Sequence, residues 1–168
     1  MERVQATAIV RDILEQEAIF LEEKRWDDWL SLYTPDCLYW VPAWRRDGTL
    51  CSDPRRELSL IYYASRGGLE DRVIRIRSGQ SPAGEQLART THLVSNVRLE
   101  DAEQSGGMLK ARASFATHFY APKDRKPSIC FGNLRVKIVQ ADAQWRIKEK
   151  IVQLQNDYIE TFLDVYCL

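Results

Sequence analysis

The chain has 168 residues, of which 45% are hydrophobic and 29% charged, enough for one domain with a proper core and no need of disulfide or metal support. Its 24 basic and 24 acidic residues give a formal net charge of +0, which excludes the basic footprint of a nucleic-acid binder. The first residues lead directly into a charged amphipathic stretch without a signal-peptide core. No run approaches the roughly 18 apolar residues of a membrane span. Cys37, Cys51, Cys130 and Cys167 are scattered without a C-x-x-C pair, so reduced thiols in a cytoplasmic protein are expected.

Between Ala6 and Leu21 the residues Ile9, Val10, Ile13, Leu14, Ala18 and Leu21 recur at steps of three and four, which predicts an amphipathic helix. A shorter helix is predicted from Trp26, Trp29, Leu30 and Tyr33. Asp27 and Asp28 favour its first turn and Pro35 stops it. Leu38 to Trp44 is aromatic and extended, with Pro42 pointing to an edge or a bulge. Arg46 to Thr49 and Ser52 to Pro54 are predicted turns.

Leu58 to Tyr63 is assigned as a strand, although a helix fits as well. Leu69, Val73 and Ile76 then fall at helical spacing behind Gly67 and Gly68, with acids leading and arginines trailing. Ser78 to Gly84 is a predicted loop. Four long strands follow at about 90–100, 108–120, 129–140 and 144–154, the clearest carrying Leu109, Ala111, Ala113, Phe115, Thr117 and Phe119 at period two. Asp101–Gly107, Ala121–Pro127 and Ala141–Ala143 are the connections, so the four strands form an antiparallel meander. Helices followed by a long curved sheet make an α+β layout in one unit over 1–168, with the helices on the concave face as in a cone.

Counting decides the metal chemistry. A Rieske cluster takes two Cys and two His, and a facial-triad iron site two further His and a carboxylate. This chain has two histidines in all, His92 and His118. Paired C-x-H and C-x-x-H spacing is absent, as are GxGxxG, GK[ST], GxSxG and HExxH. Gly67-Gly68 before a helix is a weak anion cradle, because Glu70 and Asp71 repel an anion there. Pairing of strands 90–100 and 108–120 sets position 92 opposite 117 or 118, which predicts His92 and His118 as cross-strand neighbours. One reading makes them an acid/base pair in the mouth of the cone, with Asp36 or Tyr33. The plainer reading makes them hydrogen-bonded polar residues inside the cone or at a subunit contact. Core packing is the default for the tryptophans, with an interface role open for Trp40 and Trp44. The apolar terminus from Tyr158 to Leu168 is expected to pack into the core or onto a neighbour.

Six stretches resemble the small (beta) subunits of aromatic-ring-hydroxylating dioxygenases, most of all the benzoate, anthranilate and toluate group. They are Phe20 to Leu30, Leu32 to Trp44, Leu58 to Tyr63, Gly68 to Arg77, Arg89 to Asn96 and Phe162 to Tyr166. The resemblance implies an NTF2-like (cystatin-like) cone. It also implies a hexamer of three large and three small subunits, with the small ones as a homotrimeric base. In that family the large (alpha) subunit carries the Rieske [2Fe–2S] cluster and mononuclear non-haem iron, and a reductase supplies electrons from NADH. Both atoms of O2 enter an aromatic ring. No catalytic, cofactor or metal residue carries over to this chain, whose implied role is assembly. Trp40, Trp44, Arg66, Arg72 and Tyr166 are the interface candidates. The same fold hosts independent enzymes, so the alternative is a cofactor-free lyase or isomerase using His92, His118 and Asp36.

Overall fold

The computed structural model describes residues 1–79, 87–100, 107–156, 158–159 and 163–168. Most of the predicted loop Ser78–Gly84, most of the connection Asp101–Gly107, and Phe162 lie outside the described residues. Two helices, α1 (Arg3–Glu22) and α2 (Trp26–Ser31), precede β1 (Tyr33–Pro42) and β2 (Ser59–Tyr63). Then come α3 (Arg66–Arg77), β3 (Arg89–Leu99), β4 (Met108–Ala121), β5 (Lys126–Ala141) and β6 (Gln144–Leu154), and a 3-10 turn at Val165–Cys167. The six strands form one sheet in the order β2-β1-β6-β5-β4-β3.

The apolar stripe of α1 is realised by Ala6, Val10, Ile13, Leu14 and Leu21, all buried. The helix ends in a Schellman arrangement: Arg25 N–H donates to Phe20 O (2.8 Å) and Lys24 N–H to Leu21 O (3.3 Å), with Lys24 itself at φ +58°. The helix predicted to run on to Tyr33 stops at Ser31 instead. Ile147 N–H donates to Leu32 O at 2.7 Å, and β1 starts at once at Tyr33, parallel to β6. Pro35 therefore lies in a strand and not at a helix end. It falls in the register irregularity between Tyr33 and Leu38, where its missing N–H costs no ladder bond. Pro42 likewise marks a bulge, but β1 is flanked by both β2 and β6 and is not an edge.

The meander β3–β6 is antiparallel throughout, as its alternation predicts. α3 begins earlier than Leu69 and holds no acid in its first turn, so the leading acids fall one turn late. Gly68 is there for contact, because a Cβ would lie 2.4 Å from the Tyr63 ring. Gly132 serves the same purpose, since its Cβ would meet the Gln153 carbonyl oxygen at 2.1 Å. The C-terminal turn is held on α3 by Arg72, whose Nε donates to Asp164 Oδ1 (2.8 Å) and whose second arm meets the other carboxylate oxygen. Asp164 also accepts from Val165 N–H, and Val165 to Leu168 are buried in the core.

The β5–β6 connection is a two-residue hairpin in which Asp142 (φ +51°) and Ala143 (φ +62°) are both left-handed. Paired positive φ angles match the twist of the strands, yet alanine pays for its Cβ there. Ala143→Gly is expected to raise stability by about 0.5–1 kcal/mol, read as a higher urea midpoint. An unchanged or lower midpoint would mean that the turn carries no such strain.

Candidate functional site

The inner face of the sheet holds a buried polar cluster that periodicity alone did not flag. Glu17, on the apolar stripe of α1, is 3% exposed and Lys150, on β6, is 2% exposed. Lys150 Nζ donates to Glu17 Oε2 at 2.9 Å. Trp29 Nε1 donates to Glu17 Oε1 at 3.3 Å, and the Tyr33 hydroxyl donates to the same oxygen. The ammonium also lies 5.5 Å from the centre of the Tyr39 ring. Every charge is answered from within the chain, which is what lets it stay buried. Burial, reinforced by the Glu17 carboxylate, pushes both Tyr33 and Tyr39 well above the ordinary phenol range, so both are neutral and Tyr33 serves as a donor.

His92 sits beside this cluster with its side chain 5% exposed. Its backbone N–H donates to Glu22 Oε1 (2.5 Å), and Nδ1 lies 3.4 Å from the same oxygen. Burial and the Lys150 charge outweigh the nearby carboxylates and hold the imidazole below its usual pKa, so it is neutral near pH 7. The enclosed space beside His92, Thr117, Glu17 and Lys150 amounts to about 10 Å³, room for about one water and no substrate. An open cleft of about 400 Å³ lies between β2 and the C-terminal segment. Its lining cation and anion, Arg72 and Asp164, are spent on each other.

The predicted acid/base constellation does not assemble. The register pairs His92 with Thr117 and His118 with Thr91, so the two imidazoles occupy opposite faces of the sheet. His118 is exposed, on the face opposite the core. His92 faces inward although it follows the apparent polar parity of its strand. The cause is a bulge around Asn96 (φ +54°), where three β3 steps from Ser95 to Arg98 span two β4 steps and the inward parity changes. Asp36 is exposed and ion-paired with Lys148.

The remaining candidates are engaged within the chain. Trp40 is buried, with Nε1 on Ser59 Oγ (2.8 Å). Trp44 is half-buried, with Nε1 on Leu154 O (2.6 Å). Arg66 reaches Glu70 (2.8 Å) and Tyr33 O (3.2 Å), and Tyr166 is buried with its ring 6.3 Å from Trp26. Among the described residues no group of three His, Cys, Asp or Glu could hold a metal. All four cysteines are buried free thiols, and burial pushes Cys37 and Cys130 up to about 11 and Cys167 higher still.

The outer face of the same sheet is different. Leu93, Ala116 and Phe131 form one cross-strand row, and Thr91, His118 and Ile129 the next. Leu93 is 53%, Phe131 44%, Ile129 41% and Tyr120 37% exposed. Alternation along β5 could have marked them, since Ile129 and Phe131 are out of phase with Cys130, Leu134 and Val136.

Residues 16–161 match the profile of the family described as the ring hydroxylating beta subunit. The chain belongs to that family. It is 41% identical over 157 residues to the toluate 1,2-dioxygenase subunit beta of Pseudomonas putida, covering 94% of each chain. It superposes on the beta subunit of benzoate 1,2-dioxygenase from Burkholderia mallei with a TM-score of 0.77 at 35% identity, covering 96% of each. A hexachlorocyclohexane dehydrochlorinase superposes at 0.64 with 12% identity, covering 92% of this chain and 88% of its own, and shares the fold alone. The fold is thus the α+β, NTF2-like cone, and the chain is the small subunit of an oxidoreductase, a ring-hydroxylating dioxygenase. The lyase or isomerase reading is overturned by family membership, and the separation of His92, His118 and Asp36 gives the physical reason. No helix of the described residues is long and apolar enough to cross a membrane.

Two predictions follow from the inner cluster. Lys150→Met strands a buried carboxylate and is expected to cost about 3–5 kcal/mol. Glu17→Gln with Lys150→Met, which keeps an acceptor for Trp29 and Tyr33, should recover most of that loss in chemical denaturation; a double variant as unstable as the single would refute the pairing. The second concerns pH. With its folded pKa depressed, His92 binds its proton more weakly in the native chain than in the unfolded one. Stability is therefore full above about pH 6.5 and declines as pH falls below it. His92→Gln should flatten the stability slope between about pH 6.5 and 5.5, and an unaltered slope would assign the effect elsewhere.

Proposed function

We propose that this small subunit is the non-catalytic base of a three-plus-three oxygenase in the cytoplasm. Its large-subunit partner carries the Rieske [2Fe–2S] cluster and the mononuclear iron. Electrons come from NADH through a reductase, and the reaction adds both atoms of O2 to a carboxylated aromatic ring of the benzoate or toluate kind. Two electrons from NADH and two protons balance the cis-diol product. The observation that supports this reading most is the contrast between the two faces of one sheet. The inner face is filled by packed side chains and the satisfied Glu17–Lys150 pair, which suits a scaffold. The outer face leaves Leu93, Ile129 and Phe131 largely bare, which suits burial against other copies in a homotrimer. Trp44 and Arg66 keep part of their surface for a neighbour, while Trp40, Arg72 and Tyr166 are engaged within the chain.

Phe131→Asp is expected to convert the isolated small subunit from trimer to monomer by light scattering while its circular dichroism stays unchanged. The wild-type chain co-purified with its large subunit should give a mass fitting three of each and oxidise benzoate with NADH and reductase. A small subunit that is monomeric alone and never joins the complex would defeat the proposal.

A further inference from the structure

Two polar side chains on the inner face of the sheet are not satisfied by the Glu17–Lys150 cluster beside them. His92 and Thr117 are directly opposed in the register of β3 and β4. The His92 side chain is 5% exposed and Thr117 is 0% exposed. Among the described residues neither Thr117 Oγ1 nor His92 Nε2 has a hydrogen-bond partner. Nδ1 of the same ring lies 3.4 Å from Glu22 Oε1, but too poorly aligned to make a bond. A buried hydroxyl or ring nitrogen without a partner costs stability, and protein interiors satisfy nearly all such groups from the chain or from ordered water.

The space that the two residues share suits the second of these. It amounts to about 10 Å³, and its walls include His92, Thr117, Glu17 and Lys150 beside apolar Phe115 and Leu134. One water fits such a volume, provided that two to four polar groups surround it. An ion of either sign is disfavoured, because an ammonium and a carboxylate line the same space. Water also matches Nε2 in either tautomer of the ring, since it can donate to a bare nitrogen or accept from N–H. The Thr117 hydroxyl has the same freedom. We propose that His92 Nε2 and Thr117 Oγ1 hold one structural water between them, in contact with the Glu17–Lys150 pair. The water would join β3 and β4 to α1 and β6 through a single molecule, completing the polar network that the ion pair begins.

Thr117→Val in the full-length chain removes the hydroxyl at nearly constant shape, and the sign of its effect tests the proposal. A hydroxyl bonded to water contributes stability, so the urea midpoint of the variant should fall by about 0.3–1 M against wild type at equal protein concentration. A hydroxyl with no partner is a burden on the fold, and its removal would leave the midpoint unchanged or raise it. That outcome would overturn the proposal. Crystals of the wild-type chain give an independent reading that does not depend on the variant folding. Their density should hold one water about 2.6–3.2 Å from both Thr117 Oγ1 and His92 Nε2. Density without that peak, with the imidazole turned to bond Glu22 and the hydroxyl turned to a backbone carbonyl, would overturn the water site whatever the denaturation shows.

Discussion

The buried pair of Glu17 and Lys150 is the constraint from which the interior is arranged. It joins the first helix to the last strand across 133 residues of sequence. Taking two charges out of water costs several kcal/mol per ion before any return, so such a pair persists only where its other hydrogen bonds are made. Trp29 and Tyr33 donate to the carboxylate here, and the Tyr39 ring faces the ammonium. A slip of α1 by one turn would set the carboxylate among apolar side chains and strand the ammonium. The pair thus fixes the rotation and height of α1 on the sheet more tightly than interchangeable leucines would. It also explains why the cone is chemically quiet: its anion and cation are spent on each other, and His92 beside them is kept neutral.

The second determinant is where the strands break step. The bulge at Asn96 sends Thr90, His92 and Val94 inward before it and Val97 and Leu99 after it. In β6 the register with β5 shifts between Lys137 and Ile138, so that Ile147 and Lys150, three residues apart, both come to the core. Each bulge costs one ladder position and redirects every side chain beyond it. Without the shift in β6 the Lys150 ammonium would point to solvent and Glu17 would have no partner.

Much of the architecture was legible because it rests on local periodicity. The stripe of α1, the alternation of β4 and β5 and the order of the meander all follow from it. Glu17 lies on the same stripe, three residues after Leu14 and four before Leu21, but an acid among apolar positions gives no local sign that a partner waits to bury it. The parallel pairing of β1 with β6 was not legible, since no local pattern reveals a partner more than a hundred residues away, and Pro35 looked like a helix stop until that pairing supplied a strand. A parity reading of β3 assumed a uniform strand, and one left-handed Asn was enough to part His92 from His118. Trp40, Arg72 and Tyr166 show a different limit. Aromatic rings and arginines are favoured both in interfaces and in cores that can answer their polar ends, so residue type alone does not separate the two.

The two faces of one sheet therefore divide the work. Residues one step apart in β5, Cys130 and Phe131 or Leu134 and Arg135, serve opposite purposes: the inward member closes the core and the outward member stays available. This coupling limits how the surface can change, because a register slip that improved the outer contacts would turn the core set outward. Single substitutions at outward positions escape that limit, which is why the outer face can carry an apolar band and a costly row of arginines while the inner face stays intact. The outer rows run from Arg89 and Tyr120 through Leu93, Ala116 and Phe131 to Arg98, Arg112 and Arg135, so charge brackets the apolar band on both sides instead of marking one end.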